Sequence, residues 1–416
     1  MNLDNFSKVC VVGWARSGIS LCRLLLSLGK KVKISEIKER KCFPASLVNE
    51  FGQKGVEFEF GGHSRNFIKD SQLLIVSPGV DTLHSQTIKS YQSQRIPCVG
   101  EIEFSSWLTK AKIVAVTGTN GKTTTTYLAH KAIKKRKRRV FLGGNIGTPF
   151  SSFVLNTKKG DVVVLEVSSF QLETTFKFRP YVAAFLNIEP DHFDRYGGFR
   201  KYFQAKMNIF KNQGKKDWAV LNKNMTCLDS IEKRLKSRIL HFGKEFPNEN
   251  FSCVYRIAKV FGVDRDECQR VFLAFRGLGH RLEFVKNIKG VTFINDSKAT
   301  NPASTVWALK NTKKKIVLIA GGKDKGLDYS AILDYSDRIR KINLFGEASY
   351  KIRKSLNSDI ESEMFSSLEE AVRASKADAS SGDIVLFSPM CSSFDMFSDY
   401  KERGSKFMEI VNSLSK

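Results

Sequence analysis

No two of the eight cysteines stand in a CxxC pair, and Cys10, Cys22 and Cys391 lie in apolar or Gly/Ser-rich surroundings. That pattern argues against a zinc site and a disulfide framework and points to reduced thiols of a cytosolic protein. No apolar run approaches the roughly 20 residues needed to span a bilayer, and the start, MNLDNFSKVCVV, lacks a basic leader with a long apolar core. No membrane partner is expected. Acidic residues are short: 42 Asp+Glu face 68 Lys+Arg, a formal net charge of +26. A basic balance suits polyanionic small substrates as well as nucleic acid. The most basic run, Lys134 to Arg139 (KKRKRR), has no interleaved aromatic residue, as a binder of single strands would need. It reads as a solvated helix end where cations complement the dipole, so no nucleic-acid partner is expected. There is no short-period repeat; the 416 residues show three successive α/β modules instead.

What is present centres on Ile113–Thr126, IVAVTGTNGKTTTT: an apolar strand, a glycine-punctuated turn, then a lysine and threonines opening a helix. This is the order a phosphate-binding loop demands. Gly118 and Gly121 release backbone N–H groups toward phosphate oxygens, with Thr119 and Asn120 between them in the same nucleoside triphosphate-binding turn, and the helix start adds its positive dipole end. Lys122 supplies a point charge, and Thr123, followed by Thr124, offers a hydroxyl to Mg²⁺. Val116 stands where the common pattern has glycine. Further along, Asp161–Val167 puts Glu166 near the end of an apolar strand, where a carboxylate needs a cation, most simply Mg²⁺. The strand Val182–Ile188 leads into LNIEPDHFDRY, which places Asn187, Asp191 and His192 at a strand end of the same sheet. In the next helix an apolar stripe through Phe199, Tyr202, Phe203 and Phe210 includes Lys206, which must either snorkel to solvent or be modified.

Ahead of this module, the strand Val9–Gly13 and the turn Gly13-Trp14-Ala15-Arg16-Ser17-Gly18 resemble a dinucleotide fingerprint with Ala15 in place of its second glycine. A further strand, Leu73–Val76, ends in Ser77-Pro78-Gly79. Behind the central module, a strand runs into Asn295-Asp296-Ser297-Lys298-Ala299-Thr300-Asn301-Pro302, and two more strand ends carry GGKDKG and SPMCSSFDMF.

Taken together, TGTNGKTT, LEVSSFQLE, LNIEPDHFDRY, GLGHRLEF, NDSKATNP and GGKDKG resemble the Mur ligases of peptidoglycan synthesis over nearly the whole chain. The SSFQLE and DHFDRY wording is most similar to the D-glutamate-adding branch. The resemblance implies an α/β protein of three domains: a Rossmann-like domain for the UDP-substrate (1–104), a central P-loop ATPase-like domain (105–301) and a Rossmann-like domain for the amino acid (302–416). Polar turns near Ser105 and Asn301 are the expected hinges. The resemblance also implies ATP and Mg²⁺ as cofactors, UDP-N-acetylmuramoyl-L-alanine and D-glutamate as substrates, and a monomer.

The implied residue roles follow the same motifs. Lys122 would stabilise the transferring phosphoryl group, Thr123 and Glu166 would hold a first Mg²⁺, and His192 with a carbamylated Lys206 a second. Asn295 and Asn301 resemble the adenine-side loop, and Asn145 a residue near the reacting UDP-linked substrate. Arg16, Ser17 and Ser77 match UDP-binding loops. Ser393, Phe394 and Tyr400 match the region that holds the acceptor carboxylates, with Lys325 as a nearby cation. Ser35-Glu36-Ile37 departs from the Asp-Thr-Arg type sequence of relatives, and its carboxylate is unfavourable beside a diphosphate. A P-loop ATPase acting on nucleic acid, a nucleotide-binding oxidoreductase and a folylpolyglutamate-type ligase are the competing readings.

Overall fold

The computed structural model describes residues 3–93, 96–356 and 360–414. Three sheets follow one another along the chain. The first contains β1 (Lys8–Val12), β2 (Lys31–Glu36), β3 (Glu57–Phe60), β4 (Leu73–Val76) and β5 (Cys98–Gly100), all parallel in the order β3-β2-β1-β4-β5. Order reverses between β1 and β4, the crevice where doubly wound sheets take ligands. The second contains β6 (Lys112–Thr117), β7 (Val140–Gly144), β8 (Val162–Glu166), β9 (Val182–Phe185), β10 (Trp218–Asn222) and β11 (Arg238–Phe242) in the parallel order β11-β10-β9-β6-β8-β7. Strands β6, β8 and β9 are near-continuous buried aliphatic runs, as strands covered on both faces require.

The third sheet contains β12 (Glu283–Ile288), β13 (Val291–Asn295), β14 (Ile316–Gly321), β15 (Ile339–Phe345), β16 (Ser362–Phe365) and β17 (Ile384–Met390), ordered β12-β13-β17-β14-β15-β16. The β12–β13 hairpin is antiparallel, and β13 joins β17 in parallel. Two buried clusters, one including Ile316, Leu318 and Leu344 and the other Phe293, Phe387 and Phe407, pack against it.

The chain forms two compact units. One holds the residues up to Ile188 with Arg200–Ala274; the other holds Glu189–Phe199 and the chain from Phe275 onward. Two expectations change. A boundary near Asn301 would cut β12 and β13 away from the third sheet, to which they belong because β13 takes its register from β17 (Asn295 opposite Phe387). Ser105 is no polar hinge turn. It lies fully buried in the helix Glu101–Ser106, whose two carboxylates are tied into the central module. Glu101 accepts the Ser151 N–H at 2.5 Å, and Glu103 accepts the backbone N–H groups of Phe176, Lys177 and Phe178 and the Trp107 indole N–H. Among the described residues no helix is long and apolar enough to cross a membrane.

Candidate active site

The carboxyl ends of β6, β7, β8 and β9 lie side by side, with Glu166 in register with both Val116 and Gly144, and Thr117 with Phe185. The loop after β6 enters the helix Lys122–Ile133 through Gly121, its N-cap, at φ +80°. Gly118 has φ +151°, and a Cβ there would sit 2.9 Å from the Leu186 side chain; a Cβ on Gly121 would run into the Asn250 amide. Both positions need a positive φ, which glycine adopts without strain. The turn therefore keeps glycine at both ends, while the N–H groups of Thr119 and Asn120 between them are turned toward Asn187 and not outward as expected.

Asn187, just past the end of β9, braces this turn from behind. Its Oδ1 accepts the N–H groups of Thr119 (3.1 Å) and Asn120 (2.8 Å), and its Nδ2 donates to the Asn120 carbonyl. Lys122 Nζ donates to the carbonyls of Gly118 (2.9 Å) and Thr119 (2.7 Å). Thr123 and Thr124 occupy the first turn of the same helix. Lys206, on the helix Phe199–Met207, is 1% exposed: it does not snorkel. Its Nζ donates to the Gly118 carbonyl at 2.8 Å and lies 4.6 Å from the Tyr202 ring centroid. Tyr202 in turn meets the Thr119 hydroxyl at 3.2 Å. The lysine of the apolar stripe thus ends at the phosphate loop.

Glu166, 1% exposed at the end of β8, accepts from Asn145 Nδ2 at 2.8 Å, while its carbonyl accepts the Asn145 N–H. The structure thereby joins two residues whose motifs imply separate partners. In the first module the turn Gly13–Gly18 and Ser77 meet at the β1/β4 crevice, with Ser77 Oγ donating to the Gly13 carbonyl at 2.7 Å. Arg16 is exposed and Ser17 half-buried on the first turn of the helix Arg16–Ser27. Glu36 points into this turn, not away from it. Its carboxylate accepts the Trp14 N–H at 2.5 Å and the Lys38 N–H at 3.0 Å, so the departure from the relatives' pattern is absorbed as a brace of the backbone.

The second unit gathers the remaining residues. His192 has a left-handed backbone (φ +55°) at the start of the short helix Phe193–Tyr196. Such strain in a residue other than glycine persists only where the surroundings hold it, and functional sites are common places for it. Neighbouring Asp191 accepts from Lys325 Nζ at 3.1 Å and from Asn301 Nδ2 at 3.0 Å. Burial raises the Asp191 pKa, but the charges of Lys325 and His192 and the Asn301 amide outweigh it and hold the carboxyl well below the usual range. Asn301 also caps the helix Pro302–Lys310, accepting the Ser304 N–H. Asn295 is fully buried, and its amide is taken up by the Ser297 N–H, His280 and the Gly404 carbonyl. Both expected adenine-side asparagines therefore shape their loop from inside.

Ser393 is buried and Phe394 is 67% exposed in the loop after β17. Half-buried Tyr400 opens the helix Tyr400–Ser413, with Lys298 Nζ 4.9 Å from its ring centroid. Burial pushes Asp296 up to about 7, with the Ser388 hydroxyl and Arg281 working against the rise. Sequence reasoning assigns no role to Asn187, Asp191, Lys298 or Arg403. The first three stand inside motifs visible in the sequence. Arg403 leaves no signal there: fully buried, it donates to the carbonyls of Ser297 (2.8 Å), Cys391 (3.0 Å) and Ser392 (3.0 Å), tying the loop after β13 to the loop after β17.

Comparison with known proteins divides the chain into the same three parts as the sheets. Residues 7–100 match the Mur ligase MurD-like N-terminal domain, 116–272 the Mur ligase middle domain and 280–391 the Mur ligase glutamate ligase domain. The chain is 37% identical over 444 residues to a protein of Geotalea daltonii named UDP-N-acetylmuramoylalanine–D-glutamate ligase, covering 98% of each. It is 38% identical over 450 residues to one of the same name from Elusimicrobium minutum, again covering 98% of each. Among solved structures it is similar to MurF from Acinetobacter baumannii (TM-score 0.61, 15% identity, covering 91% of this chain and 90% of that one). It is also similar to MurF from Thermotoga maritima in complex with ADP (TM-score 0.59, 16% identity, covering 91% and 94%). At that identity the two structures share the fold.

Proposed function

The chain belongs to the Mur ligase family, and from that premise we propose that it joins D-glutamate to UDP-N-acetylmuramoyl-L-alanine, driven by ATP, in cytoplasmic peptidoglycan precursor synthesis. The observation that carries this reading is identity of 36 to 38% across 98% of the chain with relatives bearing that name.

The chemistry is the one the family resemblance implies. The substrate carboxylate attacks the γ-phosphorus of ATP, giving an acyl phosphate and ADP. The D-glutamate amine then attacks the acyl carbon, and the tetrahedral intermediate expels phosphate. The turn at 118–121 and Lys122 stabilise charge on the transferring phosphoryl group. The loop residues fit a bound triphosphate in charge, since Lys122 and Lys206 both end at the Gly118 carbonyl and the helix Lys122–Ile133 starts beside it. They also fit Mg²⁺ in kind, since Thr123 and Glu166 offer the hard oxygens that ion prefers. Bound Mg²⁺ neutralises phosphate charge. Thr123 and Glu166 would hold one ion, with Asn145 orienting the Glu166 carboxylate. His192 and Lys206 would hold a second once the lysine amine has taken up CO₂ and lost a proton to become a carbamate. Burial of Lys206 against the phosphate loop supports this, because an ammonium there repels a metal ion and a carbamate does not.

Arg16, Ser17 and Ser77 would contact the UDP moiety at the β1/β4 crevice. The loop Asn295–Pro302, held in shape by Asn295 and Asn301, would border the base. Ser393, Phe394, Tyr400 and Lys325 would receive the acceptor, with Asp191 fixing the lysine's direction. Phosphate release measured with D-glutamate, L-glutamate, D-alanine and meso-diaminopimelate tests the assignment. A site built for two carboxylates leaves donors unpaired when one is missing, so D-alanine is expected to react at least about a thousandfold more slowly. Preference for another acceptor would reassign the chain within its family.

A further inference from the structure

All six strands of the central sheet are parallel, so their amino ends share one edge, opposite the edge that carries the phosphate loop. Exposed cations stand at the amino end of every one of them. Lys110 and Lys112 lead into β6, Lys158 and Lys159 into β8, and Lys215 and Lys216 into β10. Lys177 and Arg179 lead into β9, and the segments 134–139 and 233–238 bring the largest groups to β7 and β11.

These loops form one continuous surface. Arg238 donates to the Lys215 carbonyl, linking the entries to β11 and β10, and Asn212 donates to the Phe176 carbonyl, linking those to β10 and β9. Lys112 Nζ lies 3.9 Å from the Tyr181 ring centroid between β6 and β9, and Thr109 and Thr157 share a hydrogen bond between the loops before β6 and β8. Carboxylates of this edge are already engaged: Asp161 by Arg139, Asp217 by Arg179, and Glu232 by His241. Among the described residues none of the lysines on this edge is paired with a carboxylate. Phe176, 51% exposed, stands on the same edge. Its loop is held firmly, because buried Glu103 accepts three consecutive backbone N–H groups there.

We propose that this edge is a docking surface for an anionic phospholipid bilayer, bound peripherally and reversibly, with the phosphate loop facing away from it. The form of the edge decides the partner. It is a broad rim of loop ends, its charge comes mostly from lysines on long stems, and it presents the exposed Phe176 ring on a firmly held loop. A single-strand groove would need a row of aromatic platforms, and duplex backbone reading favours forked arginines, three of which here are already occupied by carboxylates.

Co-sedimentation of the full chain with vesicles tests the proposal. Binding to phosphatidylcholine vesicles containing phosphatidylglycerol is expected to exceed binding to phosphatidylcholine alone by at least about tenfold at low salt and to fall as salt rises. The variant K134Q/K135Q/K137Q should lose at least about tenfold of that binding while releasing phosphate at the normal rate. The variant K313Q/K314Q/K354Q removes the same charge from exposed residues of the other unit and should bind as the parent does. Equal binding to neutral vesicles, no binding to anionic ones at low salt, or equal losses in the two variants would overturn the proposal. Tighter binding to a DNA duplex than to the anionic vesicles would assign the edge to nucleic acid instead.

Discussion

The turn Gly13–Gly18 after β1 and the turn Gly118–Gly121 after β6 share a strand–glycine–helix geometry and both spend backbone N–H groups on a side-chain brace, yet the braces differ in charge. In the first, the Trp14 N–H is consumed by the Glu36 carboxylate, and the fully buried Trp14 ring is wedged among Phe43, Phe51, Phe58 and Phe60. In the second, the brace is the neutral amide of Asn187, and two lysines, Lys122 and Lys206, converge on the Gly118 carbonyl. An acidic brace disfavours an anion where a neutral brace with nearby cations attracts one. The same backbone shape therefore disfavours an anion in one module and favours one in the other. Any ligand of the first turn is to be held by side chains such as Arg16, Ser17 and Ser77.

The largest test of this contrast is Lys122→Ala, expected to lower turnover by at least about a hundredfold with the fold intact, as loss of a charge-stabilising group does. Near-normal phosphate release would remove the second turn from the mechanism. Next comes Lys206→Ala. It should abolish most activity, and added acetate should restore part of it by supplying the missing carboxylate oxygens. Full activity without acetate would reduce Lys206 to a packing residue.

The glycines separate the two turns by stability. A Cβ on Gly18 would meet the Gly13 carbonyl, which is backbone and cannot yield, whereas a Cβ on Gly121 would meet the Asn250 side chain, which can turn aside. Gly121→Ala still carries the strain of φ +80°, roughly 1–2 kcal/mol. Gly18→Ala is expected to cost about 3 kcal/mol or more, since relieving its contact means displacing the chain. Denaturant melts of both variants should rank them in that order, while only Gly121→Ala should lower the affinity for ATP beyond its effect on stability.

Much of this is legible in the sequence. Strands β1, β4, β6, β8, β9, β14 and β17 are sheet interiors whose two-sided burial writes an unbroken aliphatic run. Strands β3, β11, β12 and β16 leave no such trace because they are edges, partly exposed and carrying charge, as in EFEF and SEMF. Strand β15 is interior and still hard to read, since Arg340, Lys341 and Asn343 interrupt IRKINLF. The phosphate loop is readable because its chemistry is local in sequence. Glu36 as a brace, Asn145 on Glu166 and Arg403 across two loops are not, since each rests on a partner brought close only by sheet order. The basic run 134–139 shows the same limit: alone it is a helix end, and only parallel topology sets it beside five other cationic loops.

The smallest expected effect is the most pointed one for the comparison. Glu36→Gln keeps the size of the side chain but replaces one carboxylate oxygen with an NH₂ group. In the native turn both oxygens accept backbone N–H groups, one from Trp14 and one from Lys38, and the side chain is buried. The amide satisfies one of these and faces the other donor to donor, so stability should fall by about 1–2 kcal/mol. Binding of UDP should stay level or strengthen a few-fold, because a negative charge has left the rim of the proposed diphosphate site. Thermal denaturation alongside UDP titration separates the two readouts. If Glu36→Gln instead weakened UDP binding by about tenfold or more while stability held, the carboxylate would be a ligand contact, and the first turn would be a binding loop in its own right.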